Sequence, residues 1–458
     1  MRLGRSVREA WRRNRDWESY VAPLFYLTCR QRFASMGRDE VRAYQSRRAR
    51  QIVRYAVRYS PFFARLYQGY DLDDVWSLPC VDKRVMMRHL GEYNTLGLGR
   101  QEILDFCARV ERTRDFGVRL KGVNVGMSSG TSGNRGVELT TRREEAYLRA
   151  AFLARYPFPR NKINMAFILR VSSPAFQLHV LGHRLTYVSP LQTEDAVLAQ
   201  LAELDPNVLA APPSMLRILA RQVERGKLAL SLLQVVSFAE VLYAEDREYL
   251  SSVFGCPVYE IYKASEGSIA ISCRAGNLHI NEDLVAVELL DVEGDPVPPG
   301  TPSKQTLVTD LHKTSQPIVR YALNDILTVS PHLCSCGSSF RVIEQVQGRA
   351  DDVFWGARAD GHGLQFVFPD YIRRAIVVVG DRVEEYQVVQ RSPDAVSVRL
   401  QVSQGGEDEL LSTAVADGIR RVFQSYDCHL PAVEVEFGAV SANRESGKLI
   451  RIRRAFEV

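Results

Sequence analysis

Between residues 125 and 270, short apolar runs alternate with amphipathic stretches, and this alternation constrains the fold more than any other feature of the chain. The apolar runs have the length of buried strands and read NMAFILRV, PNVLAAPP, LQVVSFAE and CPVYEIYKASEG. The stretches between them carry apolar residues at helical spacing and read TEDAVLAQLAEL, SMLRILARQVERG and AEDREYLSSVFG. Such alternation predicts a largely parallel sheet covered by helices, with ligands at the carboxyl ends of the strands.

The segments on either side have different textures. Residues 1–120 carry mainly helical periodicity, and Asp82 is positioned to cap one of the helices. Residues 278–345 contain short strands separated by proline and glycine turns, which predicts a β-rich, barrel-like segment. The strands and the long helix that follow QGRADD predict a compact α+β unit.

We therefore predict an α/β protein with a large, multi-layered N-terminal domain and a small α+β C-terminal domain. The predicted divisions are a large domain at 1–349, made of a helical lead-in (1–120), a nucleotide-binding α/β part (121–277) and a β-rich part (278–349), and a small domain at 350–458. A chain of 458 residues, with 46% hydrophobic and 25% charged residues, has enough material for more than one core.

Charge and cysteine usage narrow the class of protein. The net charge is +5, and much of the excess lies in the first sixty residues. This excess is typical either of a patch for nucleic acid or anionic membrane or of the solvated face of helices; we favour the helices, because no DNA-binding motif accompanies it. No apolar run reaches membrane-spanning length, no signal-peptide core is present, and the eight cysteines are scattered. These features predict a reducing, cytoplasmic location without nucleic acid or integral membrane association.

A run of small residues stands out at MSSGTSGNRGVELTT, from Met127 to Thr141. Consecutive glycines and hydroxyl residues let backbone N–H groups converge on phosphate oxygens. The loop lacks the Gly-Lys-Ser/Thr ending of a P-loop, and taken alone it is more typical of an ordinary turn.

Several further segments, taken in order, resemble the AMP-forming adenylating superfamily of acyl-CoA synthetases, and within it the phenylacetate–CoA ligase-like branch. SSGTSGNRG resembles the phosphate loop of that family, and SFAEVLYAEDREYLSSVFGCPVYEIYKASEG its adenine-pocket and tyrosine–glutamate segment. PIVRYALNDI is similar to the ribose-binding motif, QGRADDVF to the interdomain hinge and NRESGK to the C-terminal lysine motif. The signatures span residues 128–448 in the family's order.

The resemblance implies a role for each matching residue. It implies phosphate contacts from Ser128, Ser129, Gly130, Thr131, Ser132, Gly133 and Arg135, and Mg²⁺ binding by Glu266 with Thr131 as a hydroxyl contact. It implies an adenine pocket at Ala239 and Glu240, adenine stacking by Tyr262, ribose binding by Asp325, a hinge arginine at Arg349, the domain pivot at Asp351 and a catalytic lysine at Lys448. Without the resemblance, Glu266 is an ordinary loop carboxylate, Asp325 a turn residue and Lys448 a solvated tail residue.

The implied activity is ATP- and Mg²⁺-dependent conversion of a carboxylic acid, an aromatic one by preference, to acyl-AMP, followed by transfer to coenzyme A. The implied small domain is mobile, and the protein is a monomer or a homodimer. Two alternatives stay open: an adenylate-forming enzyme with an amine or coenzyme-hydroxyl acceptor, and a non-catalytic nucleotide-binding relative.

The chain departs from the family in two places. Arg135 stands in the place of the loop's usual proline and Gly136 in the place of its lysine. Extra residues also precede the VFP sequence after the hinge, in a neighbourhood that helps to form the thioester-stage site in the family. Adenylation is therefore better supported by the sequence than transfer to coenzyme A.

The cysteines raise a separate hypothesis. SCRAGNLHI contains Cys273 and His279, and HLCSCGSS contains Cys334 and Cys336. Three thiolates and one imidazole could close a tetrahedral structural zinc site, with His332 as a substitute ligand. The alternative is a set of ordinary reduced thiols.

Overall fold

The computed structural model describes residues 18–113, 115, 117–127, 136–169, 178–180, 182–190, 192–349, 353–367, 369–377, 379, 382–402, 408–440 and 449–456. These residues fall into two compact units. The first contains residues up to 301, 306–323 and 329–344; the second contains 302–305, 324–328 and the chain from 345 onwards. The second unit thus includes residues 302–305, 324–328 and 345–349, which precede the predicted domain boundary.

Helices begin and end as follows: α1 Glu18–Ser35, α2 Arg38–Tyr59, α3 Pro61–Leu66, α4 Lys83–Arg88, α5 Leu90–Tyr93, α6 Arg100–Thr113, α7 Arg142–Arg155, α8 Glu194–Leu204, α9 Pro213–Glu224, α10 Ala244–Phe254, α11 Pro369–Val377 and α12 Glu409–Ser425. Local chemistry explains several starts. Asp82 accepts a hydrogen bond from the Val85 amide at 2.8 Å and so caps α4 as predicted, and Thr141 and Glu144 form a capping box on α7.

Strands of the first unit are β1 Asn124–Met127, β2 Val137–Thr140, β3 Asn164–Ile168, β4 Leu178–Val180, β5 His183–Val188, β6 Val208–Ala211, β7 Gln234–Phe238, β8 Val258–Ala264, β9 Gly267–Ser272, β10 Leu278–Ile280, β11 Val285–Leu290, β12 Gln305–Asp310 and β13 Tyr321–Leu323. The remaining strands are β14 Asp325–Val329, β15 Val342–Arg349, β16 Phe354–Ala357, β17 Leu364–Val367, β18 Val383–Ser392, β19 Ala395–Val402, β20 Ala432–Phe437 and β21 Ile452–Arg454.

The predicted parallel sheet forms the centre of the first unit. Strands β5, β3, β6, β7 and β8 are parallel neighbours in that order, and β9, β10 and β15 continue the sheet in antiparallel fashion beyond β8. Alternate residues of the strands fill two different cores. Leu209 and Val235 pack with helices α8, α9 and α10, whereas Val208 and Val236 pack with Tyr156 on the opposite face. Coverage on both faces explains why these strands are continuously apolar.

The β-rich segment is divided between two sheets. Strands β10 and β15 join the large sheet, and β11, β12 and β13 form a separate three-stranded sheet. The α/β fold class that the sequence predicts is confirmed, and the barrel-like part of that prediction is thereby resolved into these two sheets.

The second unit has its own sheet and core. Strand β18 pairs antiparallel with β19, and both outer pairings, β19 with β20 and β18 with β21, are parallel. Helices α11 and α12 cover the sheet through a core that contains Ile376, Val388, Val398 and Ile419. Residues 354–367 form the β16–β17 hairpin, so the extra residues before VFP build a defined element. Gly356 is required in this hairpin, because a Cβ there would lie 2.7 Å from the Cys428 sulfur.

Candidate active site

The end of β8 and the turn that joins it to β9 carry the two residues of the predicted tyrosine–glutamate motif. Ala264 pairs with Gly267, so Ser265 and Glu266 form a tight reversal at the carboxyl end of β8. Tyr262 and Glu266 are both half-buried. The turn therefore presents an aromatic ring and a carboxylate at the sheet edge where parallel α/β folds bind ligands.

Two buried tyrosines lie behind Glu266. The Tyr93 and Tyr321 side chains are less than 2% exposed and come from α5 and β13. Burial raises the pKa of both hydroxyls, and the nearby Glu266 carboxylate adds to that rise. Both hydroxyls thus remain protonated and available as donors close to the Glu266 carboxylate.

The segment after β7 lies beside this turn. The register pairs Phe238 with Ile261, so Ala239 and Glu240 leave the sheet next to Tyr262. Ala239 adopts a left-handed backbone with φ of 68°, and the Glu240 carboxylate accepts hydrogen bonds from the Ser214 amide and hydroxyl, both at 3.1 Å. Ser214 is in the first turn of α9, where a carboxylate is favoured by the helix dipole.

Aromatic rings line the same edge of the sheet. Phe238 at the end of β7 stacks on Phe167 of β3, with ring centroids 4.8 Å apart and planes 6° apart. Both residues belong to the core cluster that also includes Tyr259 and Ile261. Phe238 is buried and Phe167 is half-buried, so the stacked pair makes this edge of the sheet apolar and leaves one ring partly accessible.

Charged groups gather where β2 begins. The Glu138 carboxylate lies 3.0 Å from the Lys263 ammonium and 3.6 Å from that of Lys313. Burial tends to raise the pKa of Glu138, but the two lysines outweigh it and hold that pKa below its usual range. Lys313 also lies 3.4 Å from the Ser265 carbonyl oxygen, which places its ammonium beside the Glu266 turn.

Two predicted site residues fall in the second unit. Asp325 is half-buried at the start of β14, and Arg349 is the last residue of β15. Strands β14 and β15 are neighbours in one sheet. The remaining predicted residues lie outside the described part of the chain: Ser128, Ser129, Gly130, Thr131, Ser132, Gly133, Arg135, Asp351 and Lys448.

The four predicted zinc ligands converge. Their ligand atoms all lie within 4.8 Å of one another, and the group consists of Cys273, His279, Cys334 and Cys336. The sulfurs of Cys273 and Cys334 are 3.7 Å apart, and the Cys336 sulfur is 3.3 Å from Nε2 of His279. His332 is not a member of the group.

The surroundings of this cluster orient the imidazole and favour one thiolate, that of Cys334. Nδ1 of His279 lies 2.9 Å from the Phe340 carbonyl oxygen, which fixes the ring with Nε2 toward the sulfurs. Burial raises the pKa of Cys334, but hydrogen bonds from the Cys336 amide and Asn277 outweigh it and lower that pKa to about 6. Burial and the neighbouring Cys334 raise the pKa of Cys336 to about 12, so the second thiol resists ionisation beside the first.

Sequence reasoning missed the residues that surround Glu266 from distant parts of the chain. Lys263 and Tyr321 stand inside the segments YKASEG and PIVRYALNDI, but nothing in those patterns distinguishes them from their neighbours. Glu138 and Lys313 gave no signal of their own, because their ion pairs join positions more than a hundred residues apart.

Comparison with known proteins identifies relatives of this chain. Residues 124–304 match the AMP-binding enzyme family. The chain is 24% identical over 414 residues to phenylacetate-coenzyme A ligase of Thermus thermophilus, with 84% of this chain and 86% of that protein covered. The predicted resemblance is thereby confirmed.

Two solved structures share the fold. A 2-hydroxyisobutyryl-CoA ligase in the postadenylation state, in complex with an acyl-AMP, matches with a TM-score of 0.68 and 18% identity over 93% of this chain and 91% of that one. An anthranilate CoA ligase in complex with anthranoyl-AMP matches with a TM-score of 0.52 and 16% identity over 71% of this chain and 65% of that one. In the described part of the chain, no helix combines the length and the apolar character needed to cross a bilayer.

Proposed function

We propose that this homologue of phenylacetate-coenzyme A ligase, a chain with an AMP-binding enzyme domain of the adenylate-forming superfamily, activates a carboxylic acid with ATP and transfers the acyl group to coenzyme A. In the first step a carboxylate oxygen attacks the α-phosphorus of ATP. The bond from that phosphorus to the bridging oxygen breaks, and pyrophosphate leaves. In the second step the coenzyme A sulfur attacks the acyl carbon, AMP leaves with the oxygen it gained, and the thiol proton passes to solvent.

The observation that carries this proposal is the grouping of Tyr262, Ala239, Glu240 and Glu266 at one edge of the parallel sheet, inside the region that matches the AMP-binding enzyme family. An aromatic ring beside a half-buried carboxylate suits a purine base and a metal-bound phosphate chain. The first step brings two anions together, so positive charge at this edge is needed to stabilise the transition state.

Mg²⁺ is the metal that this arrangement fits. Glu266 offers a half-buried carboxylate, the hard oxygen ligand that Mg²⁺ prefers, and two buried tyrosine hydroxyls lie near it. When bound, Mg²⁺ would supply charge neutralisation to the phosphate oxygens. We assign Thr131 and Lys448 their family roles, as a hydroxyl contact to the metal–phosphate group and as the cation that bridges carboxylate and α-phosphate, on the resemblance alone.

An aromatic acid is the preferred substrate. The half-buried Phe167 ring, stacked on the buried Phe238, offers a flat apolar face on this edge of the sheet. The structural relative whose bound adenylate is aromatic, the anthranilate CoA ligase, is consistent with this choice.

A second candidate acceptor, an amine or a coenzyme hydroxyl, is favoured by the β16–β17 hairpin, because its extra residues alter the neighbourhood that serves the thioester stage in the family.

A pyrophosphate-release screen tests the proposal. The purified protein is incubated with MgATP and a panel of aromatic and aliphatic acids, with and without coenzyme A. We expect acid-dependent pyrophosphate release, strongest for an aromatic acid, and a thioester product when coenzyme A is present. Release that ignores coenzyme A and yields no thioester would support the second acceptor class, and the absence of acid-dependent release across the panel would contradict the proposed function.

We also propose that the cluster of Cys273, His279, Cys334 and Cys336 holds a structural Zn²⁺. The separation of the Cys273 and Cys334 sulfurs is close to the roughly 3.8 Å edge of a tetrahedron with Zn–S bonds of about 2.3 Å. The ion would join the β9–β10 hairpin to the loop at residues 334–336. A cytoplasmic location is part of the same proposal, since such a site needs its thiols reduced.

A further inference from the structure

Strand β2 is held in place by a segment that lies far away in the sequence. The Gln316 side chain donates to the Val137 carbonyl oxygen at 3.0 Å and accepts from the Leu139 amide at 2.9 Å, so its amide clasps the backbone on both sides of Glu138. The Ser315 hydroxyl adds a bond to the Leu139 carbonyl oxygen at 3.0 Å. This part of the chain therefore has a fixed position relative to Glu138.

Glu144 fixes the same segment from its other side. Its buried carboxylate accepts hydrogen bonds from the amides of Thr314 and Ser315 at 2.7 and 2.9 Å, and it also caps α7. Lys313 precedes these two residues and is itself only 5% exposed. Its ammonium is thus held on a rigid backbone, between Glu138 and the Ser265 carbonyl oxygen.

Lys263 reaches the same carboxylate from the β8–β9 hairpin. Its ammonium lies 3.0 Å from Glu138 and 3.4 Å from the Ala264 carbonyl oxygen, and its side chain is 49% exposed. One carboxylate therefore faces two ammonium groups, which leaves the three side chains with a net charge of +1. The Lys263 side chain can rotate away from Glu138 without disturbing the surrounding packing, because about half of its surface already faces solvent.

Glu138, Lys263 and Lys313 lie close to the point where the sequence departs from the family's phosphate loop. Met127 pairs with Val137 at the end of the β1–β2 ladder. The glycine–serine stretch lies between these two residues in the sequence, so it ends two residues before Glu138. The family's loop lysine is replaced by Gly136 in this chain. Two lysines from elsewhere in the chain are thus placed beside the strand that follows the altered loop, and one of them contacts the Glu266 turn.

We propose that Lys263 and Lys313 bind the pyrophosphate part of MgATP and replace the missing loop lysine, with Glu138 as the carboxylate that holds both ammonium groups ready until the nucleotide arrives. The phosphate oxygens take over from Glu138 as partners of Lys263, whereas Lys313 keeps its place beside the Glu266 turn. Charge-assisted hydrogen bonds from ammonium to phosphate are strong enough for this exchange. This inference rests on the proposed function for the identity of the ligand.

The alternative is that the three residues form only a structural latch between β2 and the β8–β9 hairpin. The two accounts predict different effects of Glu138→Gln on the affinity for the nucleotide. If the lysines bind phosphate, Glu138→Gln removes a competitor and retains or tightens binding. If they form a latch, Glu138→Gln and Lys263→Met break the same contact and weaken nucleotide binding equally.

Calorimetric titration with magnesium pyrophosphate and with MgATP distinguishes these accounts without requiring turnover. We expect Lys263→Met to weaken binding of both ligands roughly ten-fold or more, and Lys263→Arg to stay within about three-fold of the wild type. Lys121→Met serves as the matched control, because Lys121 is an exposed lysine paired with Glu102 at 2.6 Å, and it should leave binding unchanged. Lys313→Met should weaken binding further, and its melting temperature checks that this buried position still folds.

Each outcome decides between the possibilities. Wild-type affinity in Lys263→Met, or equal losses in Lys263→Met and Glu138→Gln, would overturn the inference even if acid-dependent pyrophosphate release is present. Lysine-dependent pyrophosphate binding in a protein that activates no acid would support the two-lysine site and contradict the proposed function instead.

Discussion

Ala239 holds a backbone conformation that costs an L-residue free energy. Its φ of 68° lies in the left-handed region, where the Cβ crowds the following carbonyl group. The family that this chain resembles usually has glycine at this position. The Ala239 side chain is exposed, and the residue that follows it, Glu240, accepts a hydrogen bond from the Ser214 amide.

Ala239→Gly should therefore stabilise the protein by about 0.5–1 kcal/mol, because relief of left-handed strain exceeds the entropy that glycine adds to the unfolded chain. Chemical denaturation measures the change. Ala199→Gly is the matched control, since Ala199 is an exposed residue inside α8, and there the same substitution should destabilise by about 1 kcal/mol. Destabilisation at both positions would show that Ala239 is not strained in solution.

At the scale of elements, a half-buried histidine, His312, joins helices to the loop that carries Lys313. Nε2 of His312 lies 2.9 Å from the Asp283 carbonyl oxygen and 3.1 Å from the hydroxyls of Tyr44 on α2 and Tyr147 on α7, and Nδ1 lies 3.3 Å from the Arg48 guanidinium. Burial, and after it the charge of Arg48, lowers the pKa of His312 to about 3; Arg32 and Arg155 act in the same direction. The ring is therefore neutral in the folded protein.

The sign of the pH dependence follows from this shift. The unfolded histidine takes up a proton near pH 6.5 and the folded one does not, so the stabilisation is present above pH 6.5 and is lost as the pH falls toward 3. Between pH 6 and 5, His312 should make the free energy of unfolding fall by about 1.4 kcal/mol per pH unit. Denaturation curves of His312→Gln should lack this component, whereas the same substitution at the exposed His429 should retain it. An unchanged slope in His312→Gln would contradict a neutral ring in the folded protein.

The zinc proposal also belongs to this scale, since the ion would join two loops. We expect about one zinc per chain by elemental analysis, and a lower melting temperature after treatment with a strong chelator. Cys334→Ser should lose the metal, and Cys80→Ser, which changes an exposed cysteine outside the cluster, should keep it. Stoichiometric zinc in Cys334→Ser, or none in the wild type, would end the proposal.

For the whole molecule, local patterns in the sequence predicted elements well and long-range contacts poorly. The apolar run at Val208–Ala211 and the helical spacing at Glu194–Leu204 are properties of neighbouring residues, so strands, helices and the parallel order followed from them. The strand pairing of the β-rich segment could not be predicted, because no local pattern shows that β10 and β15 pair with the large sheet while β11 does not.

The candidate site shows the same limit. Tyr262 and Glu266 were predicted because they stand in one short motif, and the four zinc-cluster residues because they occur as two local pairs. The pairing of Glu138 with Lys263 spans 125 positions and the clasp of Gln316 on β2 spans 177, and charge alone marks dozens of equivalent partners along the chain. Only the folded arrangement identifies which of them meet.

The central claim is that a carboxylate oxygen attacks the α-phosphorus of ATP, and isotope transfer tests that step most directly. The best acid from the screen is supplied with ¹⁸O in its carboxyl group, together with MgATP and coenzyme A, and the products are analysed by mass spectrometry. We predict one ¹⁸O atom in the AMP and none in the pyrophosphate, and no AMP at all from Lys448→Ala. AMP that contains no ¹⁸O, or label in a released phosphate, would contradict the account.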